Sequence, residues 1–192
     1  GDAMLNSINS NEQMINKINE ILQNKKDAVI NIVNDKLTIS VFALLEKNLQ
    51  NVKEINFVIR DVKFLPHQSS IAHEFEINPT DILFNAYDIT EKNKLQHFSK
   101  ARSMHDFIEK HVNVRKVNDG IRIGGNVLII DDDFMIQGSS SLEISQKRTQ
   151  DRFSSINFDS ILSRSGDKEQ ILVALNTFKQ IWFNNKVSTD YK

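Results

Sequence analysis

Cysteine is absent from the 192 residues. Disulfide frameworks, thiolate zinc sites and cysteine nucleophiles are therefore excluded, and redox chemistry would need a bound cofactor. Proline is scarce, and both prolines, Pro66 and Pro79, fall between Asp61 and Lys92, where periodicity is weak and the chain reads as a loop-rich excursion. Within it, Ala72 to Ile77 alternates as a short edge strand, and Asp81 to Tyr87 fits strand or helix. Neither sign of charge dominates: the formal net charge is -1. Such a chain has no global field to attract nucleic acid, so any such binding must rest on a local patch. Apolar runs are strand-sized and the first residues lack a basic segment, so neither a membrane span nor a signal peptide is expected. The expectation is a cytoplasmic protein without membrane contact. No Gly-x-x-x-x-Gly-Lys phosphate loop, internal repeat or low-complexity tract occurs.

Hydrophobic residues make up 40% of the chain and charged residues 26%, a globular composition with enough length for one domain and a substantial core. Gly1 reads as the remnant of a cleaved tag. From Asn11 to about Asn24, Met14, Ile15, Ile18, Ile21 and Leu22 recur at helical spacing, so residues 1–26 are expected to form an amphipathic helix on or beside the core. Residues 27–184 form the main domain. Ala28 to Val33 and Ile55 to Ile59 are β-branched strand runs. Between them, Thr38 or Ser40 can cap a helix carrying Val41, Leu44, Leu45 and Leu49, which predicts a parallel strand-helix-strand unit.

Leu95 to His111 predicts a helix with one apolar face, Val112 to Val117 a strand, and Asn118-Asp119-Gly120 a hairpin turn. Ser155 to Leu162 alternates as a strand, Ser165 to Asp167 offers a turn and cap, and Ile171 to Trp182 is a final helix. Residues 185–192 form a polar tail, expected not to pack. The fold class is α/β, a mixed sheet flanked by helices.

The stretch from Arg122 to Leu142 carries the most information. It reads as a buried strand, an acidic turn at Asp131-Asp132-Asp133, a second apolar strand and a Gly138-Ser139-Ser140-Ser141 exit able to present N–H groups and hydroxyls to an anion. Three consecutive aspartate side chains diverge and cannot all meet one cation, so no metal is expected, and no cofactor. Lys147, Arg148 and Arg152 follow, and could supply a local patch for a nucleic-acid backbone.

This register resembles one half-site of the phospholipase D superfamily, whose pattern is His-x-Lys, four residues, Asp, six residues, and Gly-Ser-x-Asn. Asp131, Gly138 and Ser139 match it. Gly124 falls where the family has its nucleophilic histidine, Asn126 where it has its phosphate-binding lysine, and Ser141 where it has asparagine. In that family histidine attacks phosphorus, lysine neutralises phosphate charge, and the aspartate orients the nucleophile. The resemblance therefore implies a vestigial site, Gly124, Asn126, Asp131, Gly138, Ser139 and Ser141, with no catalytic residue and with Ser139, Ser141, Lys147, Arg148 and Arg152 as candidate phosphate contacts.

None of His67, His73, His97, His105 and His111 forms a His-x-Lys pair, and His105 and His111 read as surface helix residues. The chain from about Ala28 to Trp182 is similar to the phospholipase D-like domain at the N-terminus of some bacterial superfamily II helicases. The suggestive segments are Ser70 to Pro79 and Ala101 to His111. That likeness implies a non-catalytic accessory domain of a helicase or restriction-type system, binding DNA or a partner, with a helicase domain following in the native polypeptide. Two alternatives remain at this point: an active phosphodiesterase or nuclease completed by another histidine or by homodimerisation, and a structural oligomerisation domain.

Overall fold

Alternation and helical periodicity place a continuous sheet between two layers of helix. The computed structural model describes residues 7–8, 11–60, 94–142 and 158–191. The order is β1 (Ser7–Ile8), α1 (Asn11–Leu22), β2 (Ala28–Asn34), α2 (Ile39–Leu49), β3 (Val52–Ile59), α3 (Lys94–His111), β4 (Val112–Val117), β5 (Asn126–Ile130), β6 (Phe134–Gly138), β7 (Asp159–Ser163), α4 (Arg164–Phe183) and β8 (Ser188–Asp190). The strands form one eight-stranded sheet, ordered β1-β7-β6-β5-β2-β3-β4-β8. Strands β2, β3 and β4 run parallel, while β5, β6, β7, β1 and β8 each pair antiparallel with their neighbours. The fold is α/β with a mixed sheet, as the periodicity predicts.

Period two in the strands sorts their side chains between the two faces. Ile30, Ile32, Ile55, Phe57, Leu128 and Ile136 point to one face and share a core with Met14, Ile15, Ile18 and Leu22 of α1, Val41, Phe42 and Leu45 of α2, and Met104 and Ile108 of α3. Helix α1 is thus part of the main core, each fully buried side chain contributing about 1.5–3 kcal/mol. Thr38 stops the extended chain and starts α2, its Oγ1 accepting the Val41 N–H at 3.4 Å. On the opposite face α4 lies alone among the described residues, with Phe178 over Val33, Val58 and Val117, and Ile171 over Ile129, Met135 and Leu162.

Three expectations are corrected. The turn at Asn118-Asp119-Gly120 forms, with the Ile121 N–H on the Asn118 carbonyl at 3.1 Å and Gly120 at φ +84°, but it makes no hairpin. Strand β5 instead crosses to the far side of β3 and β2, where Ile129 and Ile130 are fully buried. A tight turn reverses the chain locally; burial of the next apolar strand decides its partner.

The tail packs as well. Ser188 to Asp190 add an edge strand to β4, Ser188 donates from Oγ to the Ile181 carbonyl at 2.6 Å, and Arg115 donates to Ser188 and Asn185. Backbone pairing and these bonds satisfy polar groups that residue polarity alone suggested would stay in water. The helix after β7 begins at Arg164, before the Ser165-Gly166-Asp167 turn. Its backbone breaks at Asp167, whose carboxylate accepts the Ser163 N–H at 3.1 Å. The predicted elements Ala72 to Ile77 and Asp81 to Tyr87, and the segment Ser70 to Pro79, lie outside the described residues.

Asp131 anchors the β5–β6 turn to the start of β2. At φ +52° it accepts the Val29 N–H on Oδ1 at 2.9 Å and returns its own N–H to the Val29 carbonyl at 2.8 Å. Lys25 Nζ lies 3.2 Å from Asp131 Oδ2 and also bonds Asp133. Burial pulls the Lys25 pKa down, but the hydrogen bonds and charges of Asp133 and Asp131 outweigh it, so the net shift is upward from 10.5. A raised folded-state value means that this contribution is fully present below the unfolded lysine value and fades as pH rises through the folded one. The melting temperature of Lys25→Met should therefore lie below that of the wild type at pH 8. The gap should close as pH rises past 10.5, as followed by circular dichroism across that range.

Candidate functional site

Parallel strands bring their carboxyl ends to one edge of the sheet, where ligands of open α/β folds bind. Here β2 ends at Asn34, β3 at Ile59 and β4 at Val117. Strand β5 starts from that edge at Asn126, β6 ends there at Gly138, and β7 starts there at Asp159.

Asn34 is buried, and its Oδ1 accepts the N–H groups of Asp35 at 2.8 Å and Leu142 at 3.2 Å, while Nδ2 donates to the Ser140 carbonyl at 3.3 Å. Asn126 Nδ2 donates to the same carbonyl at 3.0 Å. Asp159 accepts the Ser140 N–H at 3.2 Å and also its hydroxyl. Farther out, Arg60 holds Asp35 through two bonds of 2.9 Å, and Ser141 Oγ lies 3.4 Å from the same carboxylate. Beneath this edge remains a cavity of about 10 Å³, with Met14, Leu128, Ile136 and Leu142 on its apolar side and Asn126 and Asp159 on its polar side, room for one water molecule.

The structure unites some of the predicted site residues and separates others. Asn126, Gly138, Ser139 and Ser141 share this edge with the exposed Gly124. Asp131 does not join them. It lies at the opposite end of the β5–β6 ladder, five residues along the strand from Asn126, or about 17 Å at 3.4 Å per residue. It therefore cannot orient a group at position 124 by direct contact; its work is the Val29 anchor.

The Gly-Ser exit is not an open set of donors either, because the Ser140 and Leu142 N–H groups are taken by Asp159 and Asn34. Lys147, Arg148 and Arg152, with His67 and His73, lie outside the described residues. His105 and His111 are half-buried on α3, and His111 Nδ1 sits 3.1 Å from the Lys53 carbonyl, far in sequence and sheet position from the Asn126 edge. Asn34, Asp35, Arg60 and Asp159 are the residues sequence reasoning missed. The available signal was the polar pair Asn34-Asp35 at the end of an otherwise apolar strand.

This is an α/β domain whose polar edge sits at the carboxyl ends of three parallel strands, with no histidine in it among the described residues. No protein-family model matches the chain, and no curated protein matches it. Solved structures of similar fold include TrmBL2, an archaeal chromatin protein described as showing a novel mode of DNA binding. It is 11% identical, with 94% of this chain and 52% of that one covered and a TM-score of 0.47, so this chain spans about half its length. They also include Nuc from Salmonella typhimurium, a phospholipase D family member, at 11% identity, 92% and 90% coverage and a TM-score of 0.45. A third is phosphatidylserine synthase from Haemophilus influenzae Rd KW20, at 13% identity, 93% and 36% coverage and a TM-score of 0.45. No helix among the described residues is long and apolar enough to cross a membrane.

Gly138 is the position where this edge tolerates least. A Cβ there would lie 2.6 Å from the Phe158 carbonyl oxygen and 2.7 Å from the Asp159 Cα, both backbone atoms that cannot step aside cheaply. At Gly124 nothing lies within 4 Å. Urea denaturation should show Gly138→Ala destabilised by about 1–3 kcal/mol or more, and Gly124→Ala within about 0.5 kcal/mol of wild type.

Proposed function

We propose that the chain is a non-catalytic phospholipase D-like accessory domain that binds DNA or a partner protein in a helicase or restriction-type system without cleaving a phosphodiester. The observation that carries this reading is the state of β5 at the polar edge. Position 124 is glycine, with no group to attack phosphorus. Position 126 is an asparagine, 5% exposed, whose amide is spent on the Ser140 and Ser139 carbonyls. Loss of one charged or hydrogen-bonding contact to a transition state costs about 3 kcal/mol, and here nucleophile and cation are both missing.

Binding is supported by the location of the edge at the carboxyl ends of parallel strands. Lys147, Arg148 and Arg152 follow Leu142 in the sequence. Backbone contacts by such residues would give affinity without sequence readout. A homodimer, or a helicase domain in the same polypeptide, would supply the partner surface.

Two measurements on the full chain test this. Hydrolysis of a chromogenic phosphodiester and of DNA, with and without divalent metal, should not exceed background. Affinity for DNA at low salt should fall linearly on a log-log plot as salt rises. Turnover abolished by changing any of the five histidines would overturn the non-catalytic reading, and no binding of DNA at low salt would overturn the DNA-binding one.

A further inference from the structure

We propose that the carboxyl end of α4, at the β4 corner of the polar edge, is a binding surface for single-stranded nucleic acid, in which a base stacks on Phe183 while Lys179, Lys186 and Arg122 hold the phosphate backbone. The inference rests on the DNA-binding reading and gives it a surface. Phe183 is 78% exposed at the last position of α4. The exposed Lys179 lies four residues before it, on the same helix face. The chain then turns tightly, with the Lys186 N–H on Asn184 Oδ1 at 3.0 Å and the Val187 N–H on the Asn184 carbonyl at 2.9 Å, which keeps the exposed Lys186 beside the helix end. Asn118 clamps this turn to the end of β4, its N–H on the Val187 carbonyl and its Nδ2 on the Asn185 carbonyl, both at 2.8 Å. The exposed Arg122 follows, next to Ile123, which packs against the same apolar cluster as Ile181 and Trp182.

Charge and exposure choose the occupant. Between residues 115 and 122 and between 179 and 190 the charges are Arg115, Lys116, Arg122, Lys179 and Lys186 against Asp119 and Asp190, in a chain whose formal net charge is -1. This is the local positive excess that a polyanion needs. Arg115 is fixed in place, donating to Asn185 Oδ1 at 2.8 Å and Ser188 Oγ at 2.9 Å and lying 5.7 Å from the centre of the Trp182 ring. An exposed aromatic ring beside long-chain cations offers a stacking face and a backbone track, the combination that holds single strands without sequence readout. In a duplex the base faces are already stacked on one another, so Phe183 has no face to meet and only the cations contribute.

The test titrates the full chain at low salt with a thymidine oligonucleotide, single-stranded or annealed to its complement, and reads the fluorescence of Trp182, the single tryptophan of the chain. The single strand should bind more tightly than the duplex and quench Trp182 saturably. Phe183→Ala should weaken single-strand binding about tenfold, the size of one lost stacking contact, and leave duplex binding unchanged. Lys179→Gln combined with Lys186→Gln should lower the slope of log affinity against log salt by about 1.4, about 0.7 for each cation. All three substitutions fall at exposed positions, so the variants keep the fold. Undiminished single-strand affinity in Phe183→Ala, or an unchanged salt slope in the double variant, would overturn this surface and leave the DNA-binding reading in place. No binding of either form by the wild type would overturn both.

Discussion

The buried amide of Asn34 joins three parts of the chain that are distant in sequence. Its oxygen holds the Asp35 and Leu142 N–H groups, its nitrogen holds the Ser140 carbonyl, and its backbone carbonyl accepts the Arg60 N–H at 2.9 Å. The end of β2 is thereby tied to the exit of β6 and to the end of β3. Each bond adds only about 0.5–1.5 kcal/mol net, but leaving a buried partner unmade costs about 1–3 kcal/mol, so the network is cooperative by necessity. A hydrophobic residue at position 34 would extend the strand and leave the Leu142 and Ser140 groups without a protein partner.

That constraint shapes what the edge can do. Donors that an anion would need are directed inward, to Asp159, Asn34 and the Ser140 carbonyl. Gly138 permits this because its missing Cβ lets β7 approach to van der Waals contact. The edge is consequently a closed polar joint. On the other side of the sheet α4 supplies the second layer, leaving the two faces unequal: three helices against one among the described residues.

Much of the architecture was legible because it is periodic. The β2-α2-β3 unit, α1, α3, β4 and the β5-turn-β6 ladder follow from spacing that burial then confirms. Strand β8 and the pairing of β4 were not, because an edge strand as short as Ser188 to Asp190 carries no pattern of its own and gains order from backbone pairing. The candidate site was half legible. Spacing located Asn126, Gly138, Ser139 and Ser141 on one edge, yet it could not say that Asp131, matched by the same spacing, lies at the other end of an antiparallel ladder. Asn34, Arg60 and Asp159 reach the site only through tertiary contact, which linear spacing does not encode.

The central claim is that this edge is a rigid joint of the core. Native-state hydrogen exchange at the Ser140 and Leu142 amides tests it most directly, since exposure measures the free energy of opening at each site. A joint closed by Asn34 and Asp159 predicts that both amides exchange only through global unfolding, with the same denaturant dependence as the Ile129 amide in the sheet centre. Exchange through a low-energy local opening, insensitive to denaturant, would contradict it and would describe a loop free to engage substrate.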